Sequence, residues 1–403
     1  MAAKAPKRAI ALGGGGPAAG LHLGVLRRLT EKMHFDVWAL SCIGAWVGIV
    51  YNQCDDGKEI VQTREFFHDH VFRDDVSYER FPINNVFAPD WSANVSALTA
   101  FLGNPATYRD LFLPPRNIAE SFQQTLSFMT NPRDWTEGDF NQWTLNNVMA
   151  VNPLTRFLTS MMYLSNVTGL SRIYYPGSNF LDAINFDKLK TKRDTSIFHN
   201  AWNLTKQKLE LFYNRPVKGR HYGEISAASL CACSALPFIE EPVTIGKDIY
   251  CEGALVDTVN FKNLLEDHFD LDEIWISRIV DATQIHAPQN LDNALSNLCQ
   301  LFAATVGEDD IKLFYYHVKD GISVNGEHKK WAGTIVEVHV DPYVNFEWSQ
   351  RNLKQGEERG YLAADRAYKK YEKETGGEKN TTGHVRIINQ REKTQANERR
   401  MRQ

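Results

Sequence analysis

No apolar run in this 403-residue chain approaches the ~20 residues that a membrane-spanning helix requires. Charge excess is lacking too. Forty-five basic residues against 49 acidic leave a net charge of −4, too little for a global field that draws in nucleic acid or an anionic bilayer. Cysteine is sparse: Cys42, Cys54, Cys231, Cys233, Cys251 and Cys299 are the six. Cys231 and Cys233 form a C-x-C inside an apolar run, but no second Cys or His pair completes a zinc pattern. The cysteines therefore read as reduced, mostly buried thiols, with Cys42 set apart below. The opening MAAKAPKRAIAL has too short an apolar stretch for a signal segment and no A-x-A site, so the expectation is a cytoplasmic protein. There is no internal repeat. What remains is an ordinary globular composition, long enough for one large α/β domain or two smaller ones.

Arg8 to Leu12 reads as a buried strand ended by the loop Gly13-Gly14-Gly15-Gly16. Leu21, Val25, Leu26 and Leu29 then recur at helical spacing from Gly20 to about Met33. Asp36 to Ser41 reads as a second strand, and Ile43 to about Asn52 as a tightly packed helix of small residues. Strand, loop, helix, strand, helix is a βαβ arrangement and implies a parallel sheet. From about residue 64 to 187 the chain becomes rich in aromatics, among them Phe66, Phe67, Phe72, Phe101, Phe122 and Trp143; this is expected to be a helical cap inserted in the core. Ser196–Leu204 and Lys208–Tyr213 read as paired strands, Glu224–Ala235 as a helix, Thr244–Tyr250 as a hairpin turning at Gly246-Lys247, and Glu273–Ile279 as another strand. The predicted division is an α/β domain over 1–375 and a mobile tail over 376–403, since apolar periodicity fades after about Lys373. The last thirteen residues carry a net charge of +3; a solvated tail is the first reading and weak contact with a membrane or polyanion the second.

Three places carry chemistry. Gly13 to Gly20 is a glycine loop between a strand and a helix N-terminus, able to hold a dinucleotide phosphate, a phosphate ester or an oxyanion. A dinucleotide site would need G-x-G-x-x-G and an acid ending the second strand; that strand ends Leu40-Ser41-Cys42. Cys42 itself stands on a strand-to-helix turn with Gly44 two residues later, the mechanics of a nucleophile elbow. A helix N-terminus there is expected to lower the thiol pKa. The third place is Glu252-Gly253-Ala254, a carboxylate at a strand end before a sharp turn.

Together these segments resemble the patatin-like phospholipase family, whose members combine a glycine-rich oxyanion loop, a G-x-S-x-G elbow and an Asp-Gly-Gly or Asp-Gly-Ala motif supplying a Ser–Asp dyad. Gly20-Leu-His-Leu-Gly-Val-Leu26 looks like the family's first helix, and Asp36-Val-Trp-Ala39 like the strand before its elbow. Ala232 to Pro242 looks like the run before its acid motif, and Leu353 to Tyr371 like its closing helix. The resemblance spans most of residues 7 to 372 outside the aromatic insertion. Four positions depart from the pattern: Cys42 replaces the serine, Leu40 the first elbow glycine and Glu252 the aspartate, and the loop lacks the family's arginine.

The resemblance implies a three-layer α/β/α sandwich with a mostly parallel central sheet, and an acyl hydrolase or acyltransferase acting on an ester or thioester of a hydrophobic acid. In that scheme Cys42 is the nucleophile, Glu252 the base, and Gly14, Gly15 and Gly16 the oxyanion donors, with no metal or cofactor. The expected partner is a lipid or other hydrophobic acyl compound, with contact at a lipid surface in view; nucleic acid is not expected, and oligomeric state is left open. The competing reading is a non-catalytic member that binds lipid or acts as a scaffold. Ser41 is the runner-up nucleophile, but its side chain is expected to point away from the elbow. Packing is the expected role of His22, a strand position facing the other way that of Cys251, and turn capping that of Asp257.

Overall fold

The structure, a computed structural model, describes residues 5–74, 88–89, 91–105, 108, 118–131, 136–144, 157, 162, 167–175, 177–191, 194–324, 326–340 and 346–389. Two compact units divide the chain: residues 1–88 with 173–403, and residues 89–172. The first unit is built on a ten-stranded sheet. In chain order its principal elements are β1 (Arg8–Leu12), α1 (Ala19–Thr30), β2 (Val37–Leu40), α2 (Ile43–Gln53), α3 (Glu59–Phe66), β3 (Ser196–Asn203), β4 (Lys208–Tyr213), α4 (Ala227–Cys233), β5 (Val243–Ile245), β6 (Asp248–Glu252), β7 (Glu273–Arg278), α5 (Leu291–Asp320), β8 (Thr334–His339), α6 (Gln350–Thr375) and β9 (Arg386–Asn389).

The strands lie in the order β9-β8-β7-β1-β2-β3-β6-β5, with β4 on the other edge of β3. From β9 to β3 the pairing is parallel, and Ile10 of β1 stands between Trp275 of β7 and Trp38 of β2. Parallel strands covered on both faces read as near-continuous apolar runs, which is why RAIAL and VWAL were recognisable. Apolar cores fill both faces, one around Ile10, Leu12 and Trp275 and the other around Ala11, Ile274 and Ile276. The three-layer α/β sandwich of the sequence reading is the fold observed.

Helices α1 and α6 pack backbone to backbone. Added Cβ atoms at Gly20 and Gly24 would overlap the carbonyls of Leu353 and Glu357, and one at Gly360 would overlap that of Leu21. Glycines four residues apart on each helix open the groove that lets the axes approach this closely. Glu357 is buried there and bonds Arg27 and Arg64, so the charge is paired where it is removed from water.

Two expectations need correcting. The inserted unit is narrower than 64–187: Phe66, Phe67 and Phe72 belong to the core of the first unit, because α3 and the turn after it pack on the sheet layer. Residues 376–389 are not tail, since Arg386–Asn389 adds to the sheet as a parallel neighbour of β8 with Ile388 buried. Four residues between charged, glycine-containing segments are too few for periodicity to register. The rest of the proposed tail, 390–403, lies outside the described residues. The described rings of the second unit are partly buried and partly exposed. The second unit contains helices Trp91–Gly103, Ile118–Thr130 and Glu137–Thr144, with Phe101 buried against Phe157 and the Trp143 indole donating to Thr125 Oγ1 at 2.9 Å. Phe122 and Phe140 are exposed, while Phe81, Phe87, Phe112 and Trp135 lie outside the described residues.

No helix among the described residues is long and apolar enough to cross a membrane.

Candidate active site

The sheet register brings the site together. Strand β2 runs parallel to β3 and ends with Leu40 opposite His199. Strand β6 runs the other way along the same edge of β3 and ends with Glu252 opposite Ala201. The two chain ends therefore meet head to head at Asn200, and the residues that follow them, Cys42 and the Gly253 turn, are brought close. Asn200 is fully buried at this junction; its Nδ2 donates to Asp257 O at 2.7 Å and its Oδ1 accepts from Ser41 Oγ at 3.0 Å. A Cβ on Gly253 would overlap the Asn200 amide, which explains the glycine after the carboxylate.

Cys42 caps the N-terminus of α2 with φ 48° and ψ −124°. Such a conformation costs a non-glycine residue about 1–3 kcal/mol and recurs at catalytic turns. Close packing sustains it. Gly44 lies where any side chain would strike the Leu12 carbonyl, and the Cys42 N–H donates to Cys233 Sγ at 3.1 Å. Leu40, in place of the family's glycine, is accommodated because its methyls lie against Gly48 one turn into α2.

The Cys42 thiol and the Glu252 carboxylate line the same cavity, both are buried, and each shifts the titration of the other. Burial lifts the Glu252 carboxyl to about 7, with the thiol contact pulling slightly the other way. Burial first, then Glu252, raises the Cys42 thiol well above its ordinary value. The helix-lowered thiol pKa expected from sequence is thus reversed: desolvation and a neighbouring carboxylate outweigh the dipole of α2. At neutral pH Cys42 is thus a protonated thiol beside a carboxyl that titrates near neutrality.

Of the expected glycine donors, Gly14 is bonded elsewhere. Its N–H donates to Thr258 O at 3.0 Å, and that of Gly13 to Ser277 O at 3.2 Å. Gly14 contributes shape: a Cβ there would lie 3.2 Å from that of Cys42 and 3.0 Å from that of Ala254. The Gly15 backbone N–H acts on Cys42 only as a minor influence against the rise of its thiol pKa. Gly16 has φ +54° and lies against Phe346, so the loop turns there as only glycine does readily. His22, fully buried and held near 4 by burial, bonds Gly13 O at 2.8 Å and Ser277 Oγ at 2.9 Å; it props the loop from beneath. Ser41 points away from the elbow toward Asn200, and Asp257 accepts from the N–H groups of Asn260, Phe261 and Lys262 as a turn cap.

Above the pair opens a cavity of about 560 Å³, within the range of small-molecule sites and lined mainly by apolar side chains including Trp46, Phe67, Phe180, Leu236, Phe302 and Trp348. Helix α5 supplies one wall of it. That helix was not read from the sequence, because its 30 residues alternate short apolar and polar groups without a sustained stripe. Cys299 on α5 lies near enough to Glu252 that the carboxylate adds to the burial raising its thiol to about 11. No group of three metal-ligating side chains occurs among the described residues.

Sheet, strained elbow, facing carboxylate and apolar cavity define an α/β protein with the architecture of an acyl-transfer enzyme. A sequence model of the patatin-like phospholipases matches residues 10–265, more than half of the chain, and the protein belongs to that family of lipid acyl hydrolases. No curated protein sequence matches. Among solved structures it is similar to VipD from Legionella pneumophila, at 13% identity and a TM-score of 0.36, over 91% of this chain and 68% of that one.

Proposed function

We propose that the protein cleaves or transfers the acyl group of a lipid-like ester or thioester through Cys42 and Glu252. The observation that carries this reading is a thiol on a strained elbow and a buried carboxylate, raised to about 7, brought to the floor of one apolar cavity. A base near the working pH is well matched to accept a proton as the nucleophile attacks. Cys42 Sγ bonds to the carbonyl carbon while its proton passes to Glu252. The Gly15 and Gly16 N–H groups face the developing oxyanion. The tetrahedral intermediate expels the alcohol, or the thiol of a thioester, which takes the proton from Glu252 and leaves an acyl group on Cys42. Water, or another hydroxyl, then attacks this thioester, giving its proton to Glu252, and the thiol leaves reprotonated. Placement of the cavity mouth at a lipid surface in the cytoplasm belongs to the same reading.

Intact mass after incubation with p-nitrophenyl esters of graded chain length tests it. The parent should release nitrophenol through an adduct at Cys42, Cys42→Ala should do neither, and Glu252→Gln should acylate far more slowly because the thiol has lost its proton acceptor. The second reading, lipid binding without turnover, draws on the raised thiol pKa. A parent that binds these esters but neither forms an adduct nor turns over would favour it.

A further inference from the structure

We propose that Gln300 selects substrates carrying a hydroxyl group close to the scissile ester. This rests on the acyl-transfer reading of the same cavity and adds a polar requirement to it. Gln300 lines the cavity from α5 and is 6% exposed, yet its amide makes no hydrogen bond among the described residues. Ser234 Oγ, elsewhere on the wall, is engaged: it accepts the Trp46 indole N–H at 2.8 Å. The amide is open to the cavity, so an apolar ligand that fills the cavity strips it of water and leaves it unpaired, at a cost comparable to a lost hydrogen bond; a ligand that pairs with it is favoured.

Its position points to the reacting end of a substrate and not to the tip of the chain. Gln300 directly follows Cys299, whose thiol senses the Glu252 carboxylate. It also precedes Gly307 by seven residues, about 10 Å or two turns along one helix face. Gly307 packs on Thr258, the residue whose carbonyl holds the Gly14 N–H. The face that carries Gln300 thus runs over the loop beside the nucleophile. A hydroxyl both donates and accepts, so it can satisfy both ends of the amide's chemistry in turn; a plain acyl chain satisfies neither. Two sources supply such a group: a hydroxyl on the acyl chain itself, or a free hydroxyl on the glycerol of a monoacylglycerol.

The test pairs 3-hydroxydecanoyl with decanoyl p-nitrophenyl ester, and 1-decanoylglycerol with ethyl decanoate, for the parent and Gln300→Leu. The parent should prefer the hydroxylated member of one pair by about tenfold in kcat/KM, and Gln300→Leu should lose that preference. Preference in the first pair assigns the acyl side and in the second the alcohol side. Preference in neither, or preference retained in Gln300→Leu, overturns the proposal. Calorimetry with Cys42→Ala and the four compounds separates this from failure of the catalytic reading. A hydroxyl preference in binding that Cys42→Ala/Gln300→Leu loses supports the role of Gln300 even if the parent never turns over, and no preference overturns it. Gln300→Leu and Gln300→Met should melt at or above the parent's temperature. A lower Tm in both would show that the protein itself holds the amide, against the proposal.

Discussion

The two walls of the cavity are built on opposite principles. One wall, made of β1, the glycine loop, β2 and α2, with α1 continuing from the loop, is packed so closely that Gly14, Gly15 and Gly44, and Gly20 and Gly24 on α1, each lie where a side chain would collide with a neighbour. The other wall, the first half of α5, leaves Leu291, Leu298, Leu301 and Phe302 exposed and offers the cavity loose apolar surface with one buried amide. Close packing holds the strained backbone of Cys42 in place, whereas a partly solvated helix face tolerates variation in what packs on it. Chemistry is assigned to the first wall and selection to the second.

The largest effect should come from the tight wall. Cys42→Ala should lower kcat by at least about a thousandfold, leaving only what the loop donors and binding provide; turnover at more than a tenth of the parent rate would move the nucleophile elsewhere. Gly24→Leu forces a side chain into the Glu357 backbone, and should destabilise the protein by about 3 kcal/mol or more in urea unfolding, or prevent folding. An effect below 1 kcal/mol would mean that α1 and α6 can separate freely.

Glu252 links the two kinds of energy. Its carboxyl lies near 7 in the folded chain against an ordinary 4.5, so the folded state holds a proton that the unfolded state releases between those values. Ionisation is then unfavourable to folding above pH 7, by about 3 kcal/mol at most, and this penalty vanishes as pH falls toward 4.5. Glu252→Gln should therefore raise Tm relative to the parent at pH 8 and much less at pH 5. Parent acylation should rise with pH through about 7 as the base ionises, and Glu252→Gln should lose that limb. A Tm difference that does not change with pH would place the carboxyl's titration outside this range.

The smallest effect belongs to the loose wall. Phe302 is 53% exposed, so Phe302→Ala should change stability by only about 0.5 kcal/mol while raising KM for long acyl chains more than for short ones. A stability loss above 2 kcal/mol would mean that α5 is as closely packed as the elbow.

The tight wall was the legible one for a physical reason. Its glycines and buried strands are local necessities, written in short contiguous segments: Gly13 to Gly20, Val37 to Ala45, Glu252 to Ala254. Asn200 was not legible, since its place at the meeting of β2 and β6 depends on register across distant segments. Nor was Gln300, a polar residue in a helix whose apolar positions do not keep one face. The thiol's raised pKa escaped because helix position can be read from sequence but depth of burial cannot. Gly14 was read as a donor by its loop, and only Thr258 opposite it shows the N–H to be occupied.

Strand β9 has a practical bearing. Its partner β8 is buried along all six residues, from Thr334 to His339, and pairs with β9 across Thr334 to Glu337. A chain cut after Thr375 would end neatly at the close of α6 yet leave that row of amides and carbonyls open, a template for another chain to extend. Expression of such a fragment should fail by self-association; Arg386–Asn389 covers that row and leaves a strand of only four residues at the end of the sheet.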